Sequence, residues 1–129
     1  MSLRTAIIAA LIDTLQQHTA SRGYRGLRFI HELNTFPCFC VHAQSETRSY
    51  ESDNARLALM SVAIRGYCWT DSLDEVEAFA RQLEQGVAVF ASSPLIQEAR
   101  VTSLRTDEGL LEPYSAIDID AQILYRIQP

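Results

Sequence analysis

The sequence predicts an α+β domain: an antiparallel (mixed) sheet of four to five strands with two helices packed on one face. Three observations carry this reading. Apolar residues recur at helical spacing in two separate segments, one at the start of the chain and one closing before Ser92. Between them lies an unusually long extended run, 54–69, apolar on both parities. The chain closes on 115–127, which alternates with a period of two, as a half-exposed antiparallel strand does. The order is helix, two or three strands, helix, two strands. No internal repeat, low-complexity tract or linker interrupts it, so residues 1–129 are read as a single domain of ordinary size.

Ser2 can cap the first helix, expected over about 3–17 with Leu3, Ile7, Leu11 and Leu15 on one face. Arg4 ahead of an apolar run imitates a signal peptide, but Asp13 interrupts the run and no small-x-small cleavage pattern follows. No stretch approaches the roughly eighteen apolar residues of a membrane span, so no membrane partner is expected. Residues 19–26, with two glycines and two arginines, read as a loop, and 27–33 as a short strand. Pro37 opens the next strand, 38–44, on which Phe39, Val41 and Ala43 face one way and Cys38, Cys40 and His42 the other.

A polar tract follows, making a projecting arm at about 45–54. It is long for a simple hairpin loop, so it is either a hairpin extended beyond the core or a loop. As an arm it is a partner-contact device, and as a loop it is only solvated surface. In the long run after it, Ala58, Met60, Val62, Ile64 and Cys68 share one face, and Leu57, Leu59, Ala63, Tyr67 and Trp69 the other. Helices can cover one of these faces. The other needs a different cover, and in a chain this short a neighbouring subunit can supply it.

The second helix opens at Ser72 and Glu75, which have capping-box spacing, with Asp74, Glu75 and Glu77 at its positive end. Leu73, Val76, Phe79 or Ala80, Leu83, Val87 and Phe90 trace its apolar face. Gly86 weakens a helix by roughly 1 kcal/mol against alanine, so a bend or end is expected there. A strand over 100–106, a turn at Asp107-Glu108-Gly109 and the final strand complete the chain.

Composition narrows the function. Eleven arginines and no lysine stand against 16 carboxylates, for a net charge of −5. That argues against a stand-alone duplex-DNA binder, which needs a basic face to displace counterions. It does not exclude a lumen through which nucleic acid slides. Three cysteines, an odd number without framework spacing, fit a reducing, intracellular assembly site.

Candidate chemistry is sparse. His31, Cys38, Cys40 and His42 are ligand types for zinc, but alternate strand residues stand about 7 Å apart, too wide for three ligands around one ion. Two cysteines buried as small hydrophobes is the plainer reading. A Cys–His nucleophile lacks an orienting carboxylate and an oxyanion loop. Asp118 and Asp120 share a strand face and can hold a cation, though such a pair is more often a solvated or interface-facing stripe. There is no phosphate loop and no dinucleotide fingerprint. Catalytic, metal and cofactor-binding residues are therefore expected to be none, and the chain is expected not to be an enzyme.

One resemblance rests on the order of these pieces: Leu3-Arg4-Thr5-Ala6-Ile7-Ile8-Ala9-Ala10-Leu11, then Phe36-Pro37-Cys38-Phe39-Cys40-Val41, a polar arm and a long strand, then Asp71-Ser72-Leu73-Asp74-Glu75-Val76, and at the close Arg105-Thr106-Asp107-Glu108-Gly109-Leu110-Leu111 and Tyr114 to Tyr125. Over nearly its whole length this resembles the tail terminator (tail completion, minor tail protein U-like) proteins of lambda-type long-tailed bacteriophages. The resemblance implies a structural virion protein of the tail or neck, assembled in the host cytoplasm. Such a protein would form a hexameric ring with itself, cap the tail tube protein, stop tube polymerisation and dock the head-tail connector, while DNA passes through its lumen without specific binding. By position it implies that Glu46, Arg48, Tyr50, Glu51 and Asp53 of the arm contact neighbours or the tube, and that Asp107 and Glu108 lie at a rim. Asp118 and Asp120 join this predicted interface as the stripe noted above. The alternatives are another neck, tail-completion or tube subunit, or a small cytosolic enzyme or metal-binding domain using His31, Cys38, Cys40 and His42.

Overall fold

A computed structural model of the chain describes residues 2–52, 55–70, 72–111 and 114–127. Helix α1 (Leu3–Thr19) is followed by strand β1 (Arg22–Arg25), a 3-10 turn (Ile30–Glu32), β2 (Cys38–Ser52), β3 (Ala55–Cys68), α2 (Leu73–Phe90), β4 (Glu98–Leu111) and β5 (Tyr114–Ile127). The five strands form one mixed sheet in the order β1-β2-β3-β5-β4. The β1–β2 pair is parallel and the other three are antiparallel. The fold is therefore the expected α+β plan.

Both helices are capped by the serines that the sequence marks. Ser2 Oγ accepts from the Thr5 N–H at 3.2 Å, and Ser72 Oγ from the Glu75 N–H at 3.5 Å. Ile7, Ile8, Leu11 and Leu15 of α1 and Val76, Phe79, Leu83, Val87 and Phe90 of α2 are buried together in the main core. Beneath them lie Phe39 and Val41 of β2, Ala58, Met60, Val62 and Ile64 of β3, and Ile117, Ile119, Ala121 and Ile123 of β5. One face of the sheet is thus the floor of a two-layer core.

Four expectations are corrected. Residues 19–26 are not all loop, because Arg22–Arg25 pair with Cys38–Val41 as β1. Residues 27–33 hold a 3-10 turn rather than a strand. The Asp107-Glu108-Gly109 segment continues β4, and a register shift between Asp107 and Leu111 absorbs it without reversing the chain. Gly86 does not end α2, which runs on to Phe90. The reason lies across the helix pair: a Cβ on Gly86 would stand 2.6 Å from Cδ2 of Leu15, so the missing side chain is what lets α1 pack close. Gly86→Ala should therefore destabilise the fold by about 1 kcal/mol, since overpacking of 1–3 kcal/mol outweighs the helix-propensity gain of about 1 kcal/mol. A shift of the urea midpoint checks the sign, and a more stable variant contradicts the packing.

The polar tract is strand, paired with β3 from Ser45↔Ser61 out to Ser52↔Ala55. A bulge between Ala43 and Ser45 swaps its parity. Before the bulge, Phe39 and Val41 face the helices. After it, Glu46 and Arg48 stand opposite Met60 and Ala58, both fully buried. This part of the arm lies along the core.

Candidate assembly interface

The face of the sheet turned away from the helices is covered over only one half. There residues 27–36 fold back across it, and Leu33, Ile30 and Phe36 pack with Tyr24 over Cys38, Cys40, Tyr67 and Ala116. The Tyr67 hydroxyl donates to the Arg28 carbonyl at 3.2 Å and pins the crossing. The chain thus covers part of its own second face.

Among the described residues the other half has no such cover. Leu57, Leu59 and Ala63 of β3 and Leu124 of β5 are each only half-buried, and Leu59 and Leu124 are cross-strand partners. Polar cross-strand pairs border them. Arg65 Nε donates to Asp118 at 2.7 Å, Ser103 Oγ to Asp120 at 2.8 Å, and Arg100 to Gln122 at 3.3 Å. The hydrogen bond to Asp118 raises the pKa of Arg65 against the opposing effect of burial, so the guanidinium stays charged. Asp118 and Asp120 share the face the sequence gives them, but each is tied to a neighbouring strand.

Glu46 has a different role from an exposed arm residue. Its side chain is 6% exposed, accepts a short hydrogen bond from the Tyr125 hydroxyl, and pairs with Arg48 Nε at 2.9 Å. Burial works against its charged form. The hydrogen bonds from Tyr125 and Arg48 and the charges of Arg48 and Arg4 outweigh that and hold the carboxyl below its usual range. Tyr125 is pushed up to about 12 by burial and by the Glu46 carboxylate. Arg48 and Tyr125 of this polar trio line a hollow with Ser2, Leu3 and Arg4 at the start of α1.

The sign of the pH dependence follows. Because the folded state lowers the Glu46 pKa, its contribution is present above the ordinary value of 4.5 and lost as pH falls below it. Glu46→Gln should cost about 1–3 kcal/mol at neutral pH, as expected for a disrupted buried hydrogen-bonded group. The gap to the wild type should narrow at pH 3. Urea midpoints at the two pH values test this, and an equal gap at both contradicts it.

The cysteines sit in apolar surroundings. Burial pushes Cys38 up to about 12, reinforced by Cys40 and Cys68, and Cys68 up to about 11, reinforced by Glu75. Burial also raises Cys40, against a backbone hydrogen bond from Arg28. Thiols held neutral in this way are poor nucleophiles and poor ligands. His42 is half-buried on the outer face, opposite Ala63. Among the described residues no three His, Cys, Asp or Glu side chains gather in a way that could hold a metal. The side chains of His31, Tyr50, Glu51 and Glu108, and the whole of Asp53, lie outside the described residues. Asp107 is half-buried, opposite Ala116.

Two features escape a reading of the sequence. Phe36, Trp69 and Tyr114 meet at one end of the sheet with ring centroids 5.0–5.6 Å apart, and Trp69 remains 60% exposed. Arg22 and Arg28 both lie over the Tyr24 ring, at 5.1 and 5.5 Å from its centroid. The signal for the second was the density of arginine and aromatic residues in 22–29, in a stretch read as loop and strand.

No protein-family model matches the chain, and no curated protein matches it by sequence. Among solved structures it is similar to a chain of the virion of a native gene transfer agent (GTA) particle. The TM-score is 0.56 at 12% identity, over 95% of this chain and 86% of the other. That likeness is one of fold.

Proposed function

We propose that the chain is a structural virion subunit that assembles with copies of itself into a ring, of about six, at the end of a tail tube. There it stops tube growth and offers the surface on which the head-tail connector docks. The observation that carries this reading is the uncovered half of the outer sheet face, where Leu57, Leu59 and Leu124 stand half-exposed on a framework of paired strands. A further copy packed on this face would bury the apolar surface these leucines leave in water. A ring subunit must bury surface on each of two neighbours by a head-to-tail contact that closes. The fold shared with a virion chain supports the setting. The net charge of −5 suits a lumen that passes DNA without gripping it.

The test is functional. Purified chain added to polymerising tail tubes should arrest elongation and appear as a cap at one end in electron micrographs. Tubes that keep their length distribution, or chain incorporated along their whole length as a tube subunit, contradict the terminator role.

A further inference from the structure

We infer that the basic patch around Tyr24 is the docking surface for the acidic helix α2 of a second copy of this chain. The inference rests on the ring reading above and specifies one of its contacts. No carboxylate occurs between Asp13 and Glu32, a stretch that carries Arg22, Arg25 and Arg28 in an otherwise acidic chain. Arg22 and Arg28 are exposed, and both guanidinium groups are held over the Tyr24 ring. Beside them Leu27 and Phe29 are 57% and 70% exposed, at the mouth of a groove of about 280 Å³ floored by Arg65 and Tyr67. The patch therefore offers fixed positive charge around an apolar hollow. It fits a partner that is acidic and carries a protruding apolar side chain.

Helix α2 has that character. Its exposed charged residues are Asp74, Glu75, Glu77 and Glu84 against Arg81 alone, and its first residue, Leu73, is 48% exposed. A nucleic acid would satisfy the arginines but would set no apolar side chain against the exposed Leu27.

The placement of the two surfaces decides how copies can meet. Phe79 and Leu83 of α2 approach Gly66 from one side of the sheet. The groove beside residues 27–30 is lined by Arg65 and Tyr67, the strand neighbours of Gly66 that point to the other side. Patch and helix thus face in opposite directions. A twofold dimer cannot join both at once, whereas a head-to-tail series can, and such a series forms a ring when the rotation between successive copies closes. Complementary charge then sets the register and rejects the reversed contact.

Charge reversal tests this on the full chain. R22E/R28E and D74K/E77K each alter exposed positions only, and circular dichroism should show both folded. Each alone should need roughly tenfold or more higher concentration to form rings than the wild type, because like charges then meet at every contact. An equimolar mixture should restore rings in which the two variants alternate, with every contact again of opposite charge. If the wild type forms rings and the single variants do too, or the mixture restores nothing, this interface is overturned while the ring reading stands. If R22E/R28E keeps its rings but loses binding of a labelled DNA duplex, the patch serves nucleic acid and the inference is equally overturned. A wild type that stays monomeric at every concentration removes the ring reading and this contact with it.

Discussion

Phe39→Ala should lower the stability of the chain by about 3–5 kcal/mol, the range for truncating a buried aromatic residue. Phe39 is fully buried and among the largest such side chains in the core. It stands on β2, opposite Gly66, and a Cβ on Gly23 of β1 would come within 2.4 Å of its ring. The ring therefore fills the space where a strand glycine, the neighbouring β3 and helix α1 converge, and its truncation would leave a cavity there. Since total stability of such domains is only about 5–15 kcal/mol, the loss would be a large share of it. Urea unfolding should show a lower midpoint with an unchanged slope. A loss under about 1 kcal/mol would mean that Phe39 does not hold the layers together.

Leu59→Arg should do the reverse: it should leave the fold nearly intact and abolish assembly. Leu59 is half-buried on the outer face beside its partner Leu124, so its removal from the monomer forfeits only part of the roughly 1.5–3 kcal/mol that full burial of a leucine contributes. In the proposed ring this patch would be covered by another copy. An unpaired charge there costs several kcal/mol per contact, and about 3 kcal/mol weakens each contact roughly a hundredfold. Sedimentation velocity should show monomer where the wild type shows rings, with a melting temperature close to that of the wild type. Rings that persist would place the contact elsewhere on the surface.

Much of the fold is legible in the residues because periodicity and burial agree there. The stripe of Ile7, Leu11 and Leu15, the serine caps, and the alternation of Ile117, Ile119, Ala121 and Ile123 are local signals that the packing keeps. The inner face of β3 is likewise the one the parity of Ala58 to Cys68 marks. What is hidden depends on partners distant in sequence. Gly86 reads as a weak point only until Leu15 is seen against it. The four residues of β1 gain their strand character from parallel pairing with β2, which no local pattern announces.

The candidate site is less legible for a related reason. Alternation counted along β2 puts Glu46 with His42 on the outer face, and the bulge after Ala43 turns it inward to Tyr125 instead. Cys38 and Cys40 look like ligands beside histidines in the sequence, but the crossing of residues 27–36 buries them under Leu33. That crossing also shows why the two-faced β3 needs less outside cover than its composition implies. Its Tyr67 end is covered by the chain itself, while Leu57 and Leu59 are left half-exposed.

The central claim is that this half-open face is covered by further copies of the chain in a closed ring. Native mass spectrometry of the purified wild type over rising concentration tests it most directly. One dominant closed species, of about six subunits in the ring proposed above, is expected. A monomer or dimer at every concentration, or an unbounded ladder of masses, would contradict it.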